Sequence, residues 1–111
     1  MSDCVFCKIV DGKIPSNKVY EDEKVLAFYD IEPKAPVHFL VVPKQHISGA
    51  GDINGQNSGI IAHIYEVIAR VAGEMNLTSY RVVTNNGTDA GQTVFHLHFH
   101  VLAGRVLGGM A

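Results

Sequence analysis

Three of the six histidines in this 111-residue chain occupy every second position, in His96-Leu97-His98-Phe99-His100. A period of 2 is a strand's, and it sends the three imidazoles from one face while Leu97, Phe99 and Val101 point from the other into a core. At a rise of ~3.3 Å per residue, His98 and His100 stand ~6.6 Å apart at their backbones and can converge on one phosphate-sized group, whereas His96 and His100 are ~13 Å apart. The run therefore divides between more than one task. A lone buried histidine is most often a hydrogen-bonded core residue, but three in one alternating run set that reading aside and leave catalysis, with metal ligation as its rival.

Two other segments carry chemistry. Cys4-Val5-Phe6-Cys7 has the C-x-x-C spacing of a tetrahedral Zn²⁺ site or a redox dithiol. A redox pair needs a helix N-terminus following a strand to depress its thiol pKa, and only three residues precede Cys4. Zinc ranks above redox here, with two free thiols as the bland alternative, and histidines elsewhere can supply the two missing ligands. Residues 85–92, Asn85-Asn86-Gly87-Thr88-Asp89-Ala90-Gly91-Gln92, are rich in types that tolerate positive φ and let backbone N–H groups turn toward an anion. Alone such a loop is a plain connection; beside a histidine face it becomes a candidate phosphate cradle. Neither a Walker loop with its lysine nor a G-x-G-x-x-G turn is present, so ATP-driven and dinucleotide redox chemistry lack their usual equipment.

The elements that must position these residues are legible in outline. A compact lid-like segment, residues 3–12, is followed by Pro15 and Ser16. Residues 24–30 and 37–42 read as two strands joined by a hairpin through the Pro33 and Pro36 breaks. Residues 49–58 are loop. Ile60, Ile61, Ile64, Val67, Ile68, Val71, Ala72 and Met75 then recur at helical spacing, an apolar stripe able to pack on a sheet. His63 lies near the edge of that stripe and reads as structural or solvent-exposed. Residues 80–84 and 93–102 supply a third and a fourth strand. Strands, one helix, then strands predict an α+β fold: an antiparallel sheet with one main helix packed on it.

Composition sets the bounds. A chain of this length buries roughly 65% of its unfolded surface around one core, so residues 1–111 read as a single domain. Hydrophobic residues at 47% and charged residues at 18% describe an ordinary globular chain. A formal charge of −2 offers no basic footprint for duplex nucleic acid. Met1-Ser2-Asp3-Cys4 opens no basic, then apolar, export signal, and no apolar run approaches ~20 residues, so a cytoplasmic protein with no membrane partner is expected.

Taken together, these segments resemble the histidine-triad (HIT) family of nucleotide hydrolases and transferases over nearly the whole chain. His96-Leu97-His98-Phe99-His100-Val101-Leu102 matches the family's H-φ-H-φ-H-φ-φ run. Val37-His38-Phe39-Leu40-Val41-Val42-Pro43-Lys44-Gln45-His46-Ile47 and Asp89-Ala90-Gly91-Gln92-Thr93-Val94 are similar to its other shared blocks. Leu102-Ala103-Gly104-Arg105 is closer to the Hint branch, which acts on purine nucleoside phosphoramidates, than to the dinucleotide-polyphosphate branch. The resemblance implies that His98 is the nucleophile taking the nucleotidyl group, with His38 and His100 managing protons and phosphate oxygens. It implies phosphate-side contacts from Asn85, Gly91, Gln92 and Thr93, ribose contacts from Asp30, and a base pocket lined by Phe6, Ile9, Ile31 and Leu40. It further implies a structural zinc on Cys4, Cys7, His46 and His96, an AMP-like ligand, and a homodimer. The ending Gly108-Gly109-Met110-Ala111 departs from the Trp-Pro ending common in Hint proteins, so the resemblance does not extend to leaving-group specificity.

Overall fold

The computed structural model describes residues 4–110. Met1, Ser2 and Asp3, where the lid-like segment and the reading of the N-terminus begin, lie outside the described residues, as does Ala111. The elements are α1 (Val5–Val10), β1 (Lys18–Glu21), β2 (Val25–Tyr29), β3 (Val37–Pro43), α2 (Gly59–Glu74), β4 (Arg81–Val83) and β5 (Phe99–Ala103). The strands form one antiparallel sheet in the order β1-β2-β3-β5-β4, so the histidine-bearing β5 pairs with β3 on one side and β4 on the other.

β2 and β3 are apolar on both faces because both faces are covered. One face buries Val25, Ala27, Phe39, Val41, Phe99 and Val101 against Ile64, Val67, Ile68 and Val71 of α2. These four helix positions are spaced to form one stripe, as the periodicity predicts. The other face buries Leu26, Phe28, Leu40 and Val42 against Phe6 of α1, with Ile9, Val10 and Val94 at the margin. α2 closes at Asn76, which takes a left-handed φ of 59° while the Leu77 N–H bonds the Ala72 carbonyl at 2.8 Å.

The α+β expectation holds, and the 24–30/37–42 hairpin pairs in register, Leu26 opposite Val42 and Phe28 opposite Leu40. Three details differ from the sequence reading. The lid-like segment is a helix, α1, with Cys4 as its N-cap: the Cys7 N–H bonds the Cys4 sulfur at 3.3 Å. β1 adds a fifth strand, a four-residue edge element whose charged ends and half-buried centre hide it. The strand expected over 93–102 is regular only from Phe99 to Ala103. Upstream, the Leu97 N–H bonds the Ile47 carbonyl and the Thr84 hydroxyl bonds the His98 carbonyl at 2.8 Å, so residues 96–98 are held outside the β5 ladder.

Candidate functional site

His38 sits on β3 and His100 on β5. Leu40 pairs with His100, and His38 with Leu102, so the two rings are diagonal neighbours on the face that α1 covers. His98 stands just before β5, its ring 5.0 Å from that of His100 and edge-on to Phe6 at 5.0 Å. Asp30, at the end of β2, places Oδ2 3.4 Å from His38 Nε2. His38 and His98 are buried, and His100 half-buried.

Main-chain partners decide which nitrogen of each ring carries its proton. The Lys34 N–H donates to His38 Nδ1 at 3.0 Å, so the proton of a neutral His38 is on Nε2. That Nε2–H donates to His100 Nδ1 at 2.9 Å, which places the proton of His100 on its own Nε2. His98 is set the other way. Its Nδ1–H donates to the His96 carbonyl at 2.7 Å, leaving Nε2 with a free lone pair. Neutrality itself comes from burial, which pushes His38 and His98 below the usual histidine range and, with the neighbouring His98 and His38 rings, His100 to about 4. At neutral pH the site therefore presents a bare imidazole nitrogen beside an N–H donor.

The second cluster joins α1 to the ends of the sheet. His96 Nδ1 lies 3.3 Å from the Cys4 sulfur, 3.5 Å from the Cys7 sulfur and 3.2 Å from His46 Nδ1, and Cys7 reaches His46 Nδ1 at 3.3 Å. All four donor atoms fall within 4.8 Å of one another. With Zn–S of ~2.3 Å and Zn–N of ~2.0–2.1 Å, tetrahedral donors stand roughly 3.3–3.8 Å apart, so the residues fit a zinc ion. The His96 Nε2–H donates to the Pro43 carbonyl at 2.7 Å, which frees Nδ1 for ligation and fixes the ring. Burial and a hydrogen bond with Cys4 push the Cys7 thiol up to about 11.

The other sequence-predicted residues distribute unevenly. Phe6, Ile9 and Leu40 share the apolar cluster beneath α1, while Ile31 is 95% exposed on the β2–β3 loop. Gln92 is buried with its amide engaged: Nε2 donates to the Ser48 and Val94 carbonyls, and Oε1 accepts the Gly87 N–H at 2.8 Å. The N–H groups of Gly87, Ala90, Gly91 and Gln92 all bond within the 85–92 loop. As a cradle these four amides are spent, and Gly91 contributes its left-handed φ of 102° rather than a free N–H. Asn85 is half-buried and Thr93 exposed. His63 is structural, its Nε2 2.7 Å from Asp22 Oδ2, where it ties α2 to the β1–β2 turn. Burial would raise Asp22, but N–H donors from Lys24 and Val25 together with His63 hold it at about 2. The Lys34 amide and the Pro43 carbonyl are main-chain partners that leave no mark in residue types.

A family model described as "Scavenger mRNA decapping enzyme C-term binding" matches residues 3–109. A histidine triad protein from Clostridium difficile superposes with a TM-score of 0.95 at 50% identity, covering 100% of this chain and 98% of that one. A HIT family hydrolase from Legionella pneumophila gives 0.93 at 42% identity over 96% of both chains. A histidine triad nucleotide-binding protein from Candida albicans gives 0.83 at 32%, covering 98% of this chain and 85% of that one. The chain belongs to the histidine-triad family.

Proposed function

We propose that the protein hydrolyses purine nucleoside phosphoramidates through a nucleotidyl-histidine intermediate. The observation that carries this reading is the opposed protonation of two adjacent rings: His98 with a bare Nε2, His100 with Nε2–H. His98 Nε2 attacks the α-phosphorus, a new P–N bond forms, and the P–N bond to the leaving amine breaks as that nitrogen takes a proton from solvent while the His100 Nε2–H holds it by a hydrogen bond. One P–N bond replaces another, so the first step is not steeply uphill. The His98 imidazolium so formed keeps its Nδ1–H on the His96 carbonyl. Water then attacks phosphorus, its proton returns to the solvent, and the bond to His98 breaks. The sum is phosphoramidate plus water giving nucleotide and amine.

Asp30 would take the ribose hydroxyls, while Phe6, Ile9, Ile31 and Leu40 line the base. Asn85, Gly91, Gln92 and Thr93 belong to the phosphate side, Gln92 by fastening the loop. Cys4, Cys7, His46 and His96 would hold a zinc whose role is structural, tying α1 to the strand ends. The hydrolase and nucleotide-binding relatives above favour this class of chemistry.

A homodimer completes the proposal. β4 leaves one edge of the sheet open, and Tyr65 and Tyr80 are exposed. Light scattering should return twice the chain mass at micromolar concentration, and a monomer mass would remove this part. Among the described residues no helix is long and apolar enough to cross a membrane.

The test is turnover. An adenosine phosphoramidate should be hydrolysed with a higher kcat/KM than a diadenosine polyphosphate, and equal or reversed values would overturn the substrate assignment.

A further inference from the structure

Donation from His100 requires its proton on Nε2, and nothing in that ring selects the nitrogen. The selection arrives through His38 from the Lys34 N–H, an amide on the connection between β2 and β3. That connection is pinned locally by the Asp30 N–H on the His38 carbonyl at 3.0 Å and by the Glu32 N–H on Asp30 Oδ1 at 2.8 Å. A third pin comes from far along the chain: Arg105 Nη2 donates to the Lys34 carbonyl at 2.9 Å. Arg105 Nη1 donates to the Val106 carbonyl at 3.0 Å, which fixes the plane of the guanidinium.

The turn that delivers Arg105 is built for this approach. Gly104 has φ of +101°, and a Cβ there would meet the Pro36 Cβ at 2.8 Å and the Val37 nitrogen at 3.4 Å. Only glycine combines that backbone conformation with that proximity. Among the described residues Arg105 makes no ion pair; both of its hydrogen bonds go to backbone carbonyls.

We infer that Arg105 is a positioning residue for the histidine relay: by gripping the Lys34 carbonyl it holds the Lys34 N–H on His38 Nδ1, and thereby keeps the outward N–H donor on His100 Nε2. The kinetic consequence rests on the proposed hydrolytic reading; the tautomer consequence does not. Without the grip, His38 can place its proton on Nδ1. His100 would then turn its own proton inward, onto Nδ1, toward the bare His38 Nε2, and lose its outward donor.

The test compares wild type with Arg105→Met, which keeps the apolar stem, and Arg105→Lys, which restores one donor. Histidine tautomers are read by long-range ¹H–¹⁵N correlation, and kcat and KM are measured on an adenosine phosphoramidate. One net hydrogen bond shifts an equilibrium by about fivefold, so Arg105→Met should lower kcat by about three- to tenfold with KM within twofold. His38 and His100 should move from the Nε2–H form to a mixture, and Arg105→Lys should recover most of both effects. Unchanged tautomers in Arg105→Met overturn the inference, whatever the rate does. A loss confined to KM also overturns it, since it would make Arg105 a substrate contact. If the wild type turns over no phosphoramidate, the proposed function fails, while the tautomer spectra still decide the role of Arg105.

Discussion

His96 and His98 are two residues apart, both buried, and wired in opposite senses. His96 gives its Nε2 proton to the Pro43 carbonyl and turns Nδ1 toward two thiols and His46. His98 gives its Nδ1 proton to the carbonyl of His96 itself and leaves Nε2 bare beside His100. Burial holds both rings neutral, so charge does not separate them. The backbone does: a carbonyl placed against one nitrogen or the other makes one ring a fitting metal ligand and the other a fitting nucleophile. Residue type is shared, and main-chain geometry assigns the role.

The comparison can be broken at either end. Replacing His98 with Ala should lower single-turnover hydrolysis by about 10⁴-fold or more, because the covalent route is gone, while zinc content stays at one per chain. Loss of metal in that variant would erase the division between the two rings. His100→Asn removes the donor rather than the nucleophile and should slow turnover by about 10²- to 10³-fold, again with zinc retained by mass spectrometry. On the other side, His96→Ala should empty the zinc site and lower Tm by about 10 °C, equivalent to ~2 kcal/mol for a domain of this size. Cys4→Ser should copy it in direction. If metal analysis finds no zinc in the wild type, the structural half of the account fails and the catalytic half stands alone.

The smallest expected effect is on stability against pH. Unfolded, His100 takes up its proton near 6.5; folded, burial and the His98 and His38 rings delay this to about 4. Between these values the unfolded state binds more protons, so stability falls as pH drops from 6.5 to 4 and is flat with respect to this group above 6.5. Thermal melts of wild type and His100→Asn across that window should converge in slope at high pH, with the variant losing a few degrees less at pH 5. An identical decline in both would show that His100 is not held neutral by its surroundings.

Much of this was legible in the sequence because periodicity reports burial. The α2 stripe, the β2–β3 pair and the inward set Leu97, Phe99 and Val101 follow from which positions are apolar. The histidine spacing also separated His96 from the His98–His100 pair. β1 escaped because a four-residue edge strand with Lys18 and Glu21 at its ends buries too little to leave a pattern. The alternation that predicts a strand over 93–102 continues through His96, but the backbone there answers to Ile47 and Thr84 instead of a neighbouring strand, and the regular strand spans Phe99–Ala103. The Gly- and Asn-rich loop suggested free amides, yet Gln92 and the loop's own carbonyls consume four of them. Tautomers could not be read at all, since carbonyls and amides are common to every residue.

The division of labour along the triad is tested most directly by where phosphorus lands. Quenching the reaction with an adenosine phosphoramidate at its burst, then mapping the adduct by mass spectrometry and ³¹P NMR, identifies both the residue and the ring nitrogen. A nucleotidyl group on His98 Nε2 is the predicted result, because its Nδ1 is committed to the His96 carbonyl. An adduct on His98 Nδ1, on His100 or on His38, or turnover with inversion at phosphorus and no adduct, would contradict it.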